Sequence, residues 1–388
     1  MILRRNLAIV CIGLLIAALS CGAAGEKAAF GNDGIDRNDP NFVTASLLIM
    51  SPGDALYSCA GHSCLRLECP KFNLDYCFSY ESESVKERVL SFFMGKLKMG
   101  MFAVPTAEWL KMYKDVGRGI TQYRLNLPPD AKQRLWKLLD DKVAEGPSLP
   151  YDYLERGCAQ ADSRVLRDAL NPYNMVVASW PEQYRQTRRE FVDSFTAPHP
   201  WNRFFLHAIC GAELDRDVPN MQKIVVPCDL LGMLRIAKVS SKPIIDGAGI
   251  ELLVAKPDDK PSFFTPLVVA LLVLGIVTLN FMARWKWLDW TFLGFQSLVG
   301  AFFTYLVVFS NLPATDWNWL IVPFNLLPLI FWKWRQKWAL WFAGVLVLWE
   351  AGMIFYPHRL TDPAYLVLVA AYIVFYVSVS RRFTKLRL

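Results

Sequence analysis

Five apolar segments in the last third of the chain constrain the fold more than any other feature of the sequence. They begin at residue 263 and, apart from a short third one, are near the length that a helix needs to cross a bilayer. The segments are Phe263 to Ala283, Trp290 to Phe309, Trp319 to Phe331, Trp338 to Tyr356 and Ala364 to Val379. The sequence therefore predicts an all-α bundle of about five transmembrane helices at residues 262–388.

Basic residues between these segments predict how the bundle is oriented. Lysine and arginine cluster at alternate ends of the segments, and the opposite ends lack a basic excess. The basic ends lie at 284–286, 333–337 and 381–387, and the others at 311–318 and 357–363. Because cytoplasmic loops carry the excess of positive charge, the basic ends are expected in the cytoplasm. The chain before the bundle is then expected in the periplasm.

The N-terminus has the layout of a secretory signal peptide. Two arginines precede an apolar run from Leu7 to Leu19, and small residues follow that run. Cleavage near Ala24 is the simplest interpretation, and a lipobox-like site at Cys21 or an uncleaved anchor are the alternatives. We therefore predict a signal peptide at 1–24 and an exported domain at 25–261.

Charge is distributed unevenly between the exported domain and the bundle. Residues 262–388 hold 10 of the 42 lysines and arginines but only 4 of the 35 aspartates and glutamates. The signal peptide holds two more bases, which leaves the exported domain about neutral. Nucleic-acid binding requires a basic face that neutralises phosphates, so no nucleic-acid partner is predicted.

A glycine and a histidine open one predicted strand of the exported domain. Leu65 and Leu67 alternate with polar residues over Ser63 to Glu68, which is the spacing of a half-buried strand. Gly61 supplies the turn into this strand. An imidazole at the start of a rigid strand can be held in one orientation, so His62 is a candidate for proton transfer. A surface histidine without chemistry is the alternative.

Cys158 is predicted to open a helix, because Val165, Leu166 and Leu170 follow it on an apolar face. The free N–H groups and the dipole at a helix start lower the pKa of a cysteine thiol and raise its reactivity. A small residue that packs the helix start is the alternative. Together with His62, Cys158 forms a candidate thiol–imidazole pair for nucleophilic catalysis.

The remaining patterns predict an α+β exported domain. Phe42 to Met50, Leu74 to Tyr80 and Ile120 to Leu127 join the histidine strand as strands of a small antiparallel sheet. A helix begins at Pro128-Pro129 and ends at Gly146, and a second charged helix is predicted over Trp180 to Phe195. The stretch between Val85 and Tyr113 contains glycines and a proline, which indicate short elements joined by turns.

Cysteine usage favours disulfide bonds in this domain. Seven of the nine cysteines follow the signal peptide, so at least one is unpaired unless a partner chain supplies a thiol. An exported location and irregular spacing favour disulfides over zinc ligation. Pairing within the two sequence groups would leave Cys158 free. The first group is Cys59, Cys64, Cys69 and Cys77, and the second is Cys210 and Cys228.

Polar residues inside the predicted bundle are candidates for substrate contacts. Glu350 lies near the periplasmic end of its segment, where an ionisable side chain is costly and often functional; snorkelling or pairing with Arg359 is the alternative. Asn318 and Asn325 are seven apart, hence on one helix face, and would line a polar notch at the outer leaflet. Hydrogen bonding between helices is the alternative for both asparagines.

Several motifs resemble those of the Lnb family of bacterial lipoprotein N-acyltransferases, and the histidine-first order is similar to circularly permuted papain-like and NlpC-type enzymes. The family pattern that begins with Gly-His-(Ser/Thr) and ends with Leu-Arg resembles Gly61 to Arg66, and its Asp-Tyr-x-Phe-x-Tyr resembles Asp75 to Tyr80. Its Asn-Cys-Ala resembles Gly157 to Ala159, and its Trp-Asn membrane segment resembles Trp317 to Pro328. The sequence departs from the family at Gly157 and Ser79, where asparagine is typical, and at Asn311, where histidine is common.

The resemblance implies a permuted papain-like (NlpC-type) domain at 25–261 in which Cys158 is the nucleophile and His62 the base. It implies that an acyl chain moves from a phospholipid donor, through a cysteine thioester, to the α-amine of a diacylated lipoprotein, at the periplasmic face of the bacterial inner membrane. No cofactor or metal is implied. Candidates for orienting the histidine are Tyr80, Ser79 and Asp75, and candidates for substrate binding are Tyr57, Arg66, Asn318, Asn325 and Glu350.

Two other functions are compatible with the same residues. A membrane-anchored cysteine amidase or peptidase acting on peptidoglycan would use the same thiol and imidazole. A disulfide-rich module that binds a partner would use neither. Five membrane spans exceed what an anchor needs, which favours a lipid substrate.

Overall fold

The computed structural model describes residues 39–85, 87–152, 156–173, 175, 187–216, 226–256, 263–355 and 362–384. The predicted signal peptide, Arg359 and the first seven residues of the predicted helix over Trp180 to Phe195 lie outside these residues. The described chain forms an N-terminal mixed α/β domain with an antiparallel sheet, followed by a helical region.

An antiparallel sheet of seven strands forms the centre of the N-terminal domain. The strands are β1 Thr44–Met50, β2 His62–Cys69, β3 Leu74–Ser82, β4 Lys98–Pro105, β5 Ile120–Arg124, β6 Leu149–Pro150 and β9 Ile250–Leu253, while β7 Lys238–Val239 and β8 Lys242–Pro243 pair separately. Their order in the sheet is β6-β4-β3-β2-β1-β5-β9. The four predicted strands are confirmed, and β2 lies in the middle of the sheet.

β4 was not predicted, because Gly100 and Pro105 in its sequence indicated turns. Gly100 instead permits a close approach: a Cβ at this position would lie 2.7 Å from the Cα of Pro147, beside β6. Pro105 is the last residue of the strand, where a missing N–H costs little. Both residues are therefore compatible with a strand near the sheet edge.

Helices cover both faces of the sheet. Seven are described in this domain: α1 Val89–Phe93, α2 Thr106–Asp115, α3 Pro129–Glu145, α4 Cys158–Leu170, α5 Arg188–Thr196, α6 Pro200–Ile209 and α7 Pro227–Ile236. The main core joins α3, α4 and α7 to one face, where Leu65, Leu67 and Phe78 of the sheet are buried. On the other face, Trp109 of α2 packs against Cys64 and Cys77. The alternation of side chains along β2 thus separates two cores.

Four helices in the C-terminal region are long and apolar enough to cross a membrane: Pro266–Ala283, Lys286–Phe309, Lys337–Phe355 and Pro363–Arg381. They belong to α8 Pro266–Ala283, α9 Lys286–Phe309, α11 Arg335–Phe355 and α12 Pro363–Thr384. The third predicted segment is not one helix but breaks into short pieces at Trp319–Ile321, α10 Leu327–Ile330 and Trp332–Trp334.

The break in the third segment follows from its prolines. A proline lacks the N–H that an α-helix needs and blocks the preceding turn, and this segment contains Pro323 and Pro328. The bundle supplies a partner for a backbone carbonyl at the break: the side chain of Gln296 in α9 donates to the carbonyl of Pro323 at 2.7 Å. Gly300 of α9 allows close contact, since an added Cβ would lie 2.6 Å from the Cα of Asn325.

α6 joins the N-terminal domain to the bundle. Its Arg203 donates to Asp362 at 2.8 Å, and the ring of Phe204 stacks on Tyr365 with centroids 4.3 Å apart. Just after α6, the N–H of Gly211 donates to the carbonyl of Ala314 at 2.6 Å. These contacts fix the domain against the end of the bundle that leads into α12.

The predicted disulfide bonds are not formed in the described residues, where no disulfide joins any of the seven cysteines. The sheet register explains the first group: Cys77 pairs with Arg66 of β2, so Cys64 lies diagonally across from Cys77 rather than opposite it, away from the geometry of a disulfide. In the second group, Cys210 is buried and Cys228 is exposed. Cys158 is thus free without the pairing that the sequence suggested.

Gly61 controls the entry into β2. Its φ of +78° lies in the left-handed region, and an added Cβ would lie 2.9 Å from the carbonyl oxygen of Met50. We expect Gly61→Ala to lower the free energy of unfolding by about 1–2 kcal/mol, measured by thermal unfolding of the full chain in detergent. Gly247→Ala is the matched control, because nothing lies within 4 Å of its added Cβ. Equal unfolding temperatures for the two variants would contradict this account of the turn.

Candidate active site

His62 is held at the start of a central strand. It is the first residue of β2 and pairs with Met50 of β1, and its ring centroid lies 6.1 Å from that of Trp109. The side chain of His62 is 18% exposed to solvent. The ring is therefore packed on one side and open enough on another for a substrate to reach it.

Cys158 is the first residue of α4, as the sequence predicted. Gly157 precedes it in an extended conformation, and its N–H donates to the side chain of Gln160 at 3.2 Å. α4 packs against β2 and β3, which brings the thiol to the start of β2. There the His62 side chain and the N–H and hydroxyl of Ser63 lie near the sulfur and favour its thiolate form. The two residues that the sequence paired for catalysis are thus in contact.

The contact changes the pKa of both groups. Burial by itself raises the pKa of the Cys158 thiol, but the charge of His62 and the hydrogen bonds from His62 and Ser63 lower it to about 7. Burial by itself lowers the pKa of His62, but the Cys158 thiolate, with Glu81 and Asp162, raises it to about 9. Because the thiol loses its proton at a lower pH than the imidazolium, the pair is a thiolate and an imidazolium between those values.

Ser79 and Glu81 of β3 orient the histidine. The Nε2 atom of His62 lies 2.7 Å from the hydroxyl of Ser79, and that hydroxyl donates to Glu81 at 2.9 Å. Since Ser79 gives its only proton to Glu81, it accepts the Nε2–H proton, which leaves Nδ1 for the sulfur of Cys158. Ser79 was one of three predicted candidates. Glu81 was missed, although its position two residues further along the strand places it on the same face.

The other two candidates lie elsewhere. Asp75 accepts two hydrogen bonds from Arg66, each at 2.8 Å, and a further bond from Thr106. Tyr80 points to the opposite face of the sheet and is buried in the main core. The structure does not bring either side chain to the Cys158–His62 pair.

Two of the predicted substrate-binding residues, Tyr57 and Arg66, lie in the N-terminal domain, and the other three lie in the bundle. Tyr57 is 87% exposed on the loop before His62, where it can meet a substrate. Arg66 is engaged by Asp75, by Glu68 at 2.8 Å and by Gln122 at 2.7 Å, which is a structural network. Tyr57 is therefore exposed beside the start of the histidine strand, whereas Arg66 lies on that strand with its guanidinium group already engaged.

The bundle candidates have backbone partners. The amide of Asn318 donates to the carbonyl of Ala208 at 2.6 Å, and that of Asn325 donates to Val322 at 2.7 Å. Because the segment between them is broken, the prediction that both lie on one helix face is wrong. Asn318 instead follows the predicted alternative, a hydrogen bond between elements. Glu350 is half-buried on α11.

A carboxyl group that the sequence did not single out lies beside the pair. Asp162 is fully buried one turn after Cys158, and its Oδ2 atom lies 2.7 Å from the hydroxyl of Ser63. Burial, and then the Cys158 thiolate, raise the pKa of Asp162 to about 8 against the opposing effects of Ser63 and His62. The only signal in the sequence was an aspartate on the buried face of an amphipathic helix. In the described part of the chain, no group of three metal-binding side chains occurs.

Family comparison covers both halves of the chain. The model of the Lnb N-terminal periplasmic domain matches residues 32–189, which include His62 and Cys158, and the model of the Lnb transmembrane domain matches residues 258–385. The chain belongs to the Lnb family. Lnb membership implies lipoprotein N-acylation, and it makes the α/β domain periplasmic and the helical region a membrane domain. No curated protein and no solved structure matches the chain.

The ionisation of Cys158 can be tested directly. We expect His62→Ala to raise the pKa of the thiol, because burial then acts without the opposing charge, and to slow alkylation of Cys158 at pH 7 at least about tenfold. The measurement follows the rate against pH by mass spectrometry of the Cys158 peptide in the full chain. His199→Ala is the matched control, since its imidazole faces Asp54 at 3.6 Å instead. An unchanged profile for His62→Ala would show that the imidazole does not hold the thiolate.

Proposed function

We propose that this Lnb protein is an N-acyltransferase in which Cys158 carries the acyl chain as a thioester. The observation that carries the proposal is the contact between a thiol of lowered pKa and an oriented imidazole, in a periplasmic domain fixed to a membrane bundle. The acyl donor is a membrane phospholipid, and the acceptor is the α-amine of a diacylated lipoprotein.

The first half-reaction is attack on a phospholipid ester. The Cys158 thiolate adds to the ester carbonyl, and free N–H groups at the start of α4 stabilise the oxyanion. As the tetrahedral intermediate breaks down, the carbon–oxygen bond of the ester is lost, and His62 gives its proton to the departing lysophospholipid oxygen. The product is an acyl thioester on Cys158 beside a neutral imidazole.

The second half-reaction transfers the chain to the lipoprotein. The neutral α-amine attacks the thioester carbonyl, the carbon–sulfur bond breaks, and His62 accepts the proton that the nitrogen loses. An amide and the original thiolate–imidazolium pair result. A thiolate of pKa about 7 suits both steps, since it is ionised enough to attack near neutral pH and leaves readily from the second intermediate.

The surface of the N-terminal domain supports a lipid substrate. Leu90 of α1 is 75% exposed and Phe205 of α6 is 49% exposed. Both helices touch the bundle: Phe93 of α1 contacts Phe302 of α9, with ring centroids 5.3 Å apart, and Trp201 of α6 donates to the carbonyl of Phe264 at 2.8 Å, just before α8. Apolar side chains at this level would face lipid rather than peptidoglycan.

The domain architecture in this proposal is that of a permuted papain-like enzyme. A helix that starts with the nucleophile packs on a sheet whose strands carry the histidine and its hydrogen-bond partner, with the histidine first in the chain. The proposed boundaries are a signal peptide at 1–24, the catalytic domain at 25–261 and the membrane domain at 262–388. The protein is placed in the bacterial inner membrane, with the catalytic domain in the periplasm.

Removal of the thiol should abolish acyl transfer. We expect Cys158→Ala to leave lipoproteins without the amide-linked third chain, as seen by mass spectrometry of their N-terminal peptides in a strain that depends on this protein. Cys228→Ala is the control, since this exposed cysteine lies at the start of α7, and full triacylation is expected. Triacylated lipoproteins in the Cys158→Ala strain would contradict the proposal, and altered peptidoglycan fragments would point to a hydrolase.

A further inference from the structure

We propose that Ser63 and Asp162 form a second hydrogen-bond chain to the nucleophile, in which a neutral Asp162 donates to Ser63 and Ser63 donates to the Cys158 thiolate. The two residues are positioning residues, because they act on the sulfur and do not themselves react. The inference deepens the proposed function, since it rests on Cys158 as the nucleophile.

The fold brings the three side chains together. Cys158 and Asp162 are four residues apart on α4 and therefore project from the same side of the helix. Ser63 follows His62 on β2, and its side chain points to the face that α4 covers, opposite to the face of His62. Ser63 and Asp162 are both fully buried, and the Ser63 hydroxyl also lies near the sulfur of Cys158, whose pKa it lowers.

Counting protons decides which partner donates. A serine hydroxyl has one hydrogen, yet Ser63 contacts both the carboxyl group of Asp162 and the sulfur of Cys158. If both partners were anions, one of them would face only the lone pairs of the Ser63 hydroxyl in a buried site, and the two negative charges would repel each other. If Asp162 carries a proton, it donates to Ser63, and the hydrogen of Ser63 is free for the thiolate.

The surroundings of Asp162 favour its neutral form. Its Oδ1 atom is buried and has no hydrogen-bond partner, which an ionised carboxylate tolerates poorly. Burial and the nearby thiolate raise its pKa to about 8, while the hydrogen bond with Ser63 and the charge of His62 act in the opposite direction. The other titratable groups near this cluster are Cys64 on β2, Glu81 on β3 and Tyr113 on α2. The one cation of the cluster, the His62 imidazolium, already pairs with the thiolate.

This hydrogen-bond chain gives a role to Ser63, the hydroxyl residue that follows the histidine in Gly61 to Arg66. His62 binds the sulfur from one side and must release its proton during the first half-reaction. Ser63 stays in place through both half-reactions, so the sulfur keeps the N–H and the hydroxyl of Ser63 beside it whenever it is charged. We therefore expect Ser63 and Asp162 to set the thiol pKa without taking part in proton transfer to substrate.

The test follows alkylation of Cys158 by iodoacetamide against pH, in the full chain in detergent, with mass spectrometry of the Cys158 peptide. We expect Ser63→Ala and Asp162→Ala to raise the apparent thiol pKa by about one unit, and so to slow alkylation at pH 7 about fivefold. Ser63→Thr keeps the hydroxyl and should restore the rate. Ser46→Ala, at another buried serine of the sheet, is the control and should match the unmodified protein.

Asp162→Asn decides the protonation state. An asparagine amide replaces the neutral acid as a donor to Ser63, so we expect a rate within about threefold of that of the unmodified protein. An ionised Asp162 predicts instead that the apparent thiol pKa of this variant falls by about one unit, because a nearby negative charge has been removed. Alkylation at pH 6 would then be about fivefold faster, and that result would overturn the inference. An unchanged profile for Ser63→Ala would overturn it as well.

The readout separates this inference from the proposed function. Alkylation requires no lipid and no lipoprotein, so the shift in the thiol pKa is measurable even if the chain transfers no acyl group. Thermal unfolding of each variant identifies any that fails to fold. If the alanine variants fail to fold, Asp162→Asn still decides, because an asparagine keeps the volume of the side chain and a hydrogen-bond donor to Ser63.

Discussion

The attraction between the Cys158 thiolate and the His62 imidazolium is the interaction on which the rest of the site depends. Each group is largely buried, and each would resist its charged form without the other. A buried charge is tolerated when it is paired and hydrogen-bonded, so the start of α4 must stay fixed against the start of β2. The main core between α4 and the sheet, which includes Val165, Leu166 and Leu65, provides that rigidity.

Two hydrogen-bond networks converge on this pair from opposite faces of the sheet. Ser79 and Glu81 hold the imidazole on the face that α2 covers, and Ser63 and Asp162 lie on the face that α4 covers. Both depend on the period of two along the strands, because neighbouring residues such as His62 and Ser63 point in opposite directions. The membrane domain holds the site at the bilayer surface, because α6 fixes the periplasmic domain to the bundle. A site in that position can act on lipid substrates without extracting them from the membrane.

Local patterns in the sequence predicted the individual strands and helices, because these form largely from the periodicity and turn signals of their own residues. The alternation in β2, the proline start of α3 and the apolar face of α4 predicted these elements and placed Cys158 and His62 correctly. Glu81 and Asp162 could not be singled out, because their roles arise from packing between distant elements. The disulfide prediction failed for the same reason, since pairing depends on a strand register that cysteine counts do not contain. Pro323 and Pro328 explain why the third segment breaks. The hydrogen bond from Gln296 to the carbonyl of Pro323 could not be predicted, because it depends on how α9 packs in the assembled bundle.

The central claim is that Cys158 carries a covalently bound acyl chain during the reaction. The most direct test is to measure the mass of the peptide that contains Cys158. The purified full chain is incubated with vesicles of phosphatidylethanolamine and phosphatidylglycerol, without lipoprotein, and its Cys158 peptide is weighed before and after treatment with neutral hydroxylamine. The account predicts a peptide heavier by one fatty acyl group that hydroxylamine removes, and no such peptide from His62→Ala. An unmodified Cys158 in a preparation that still acylates added lipoprotein would contradict it.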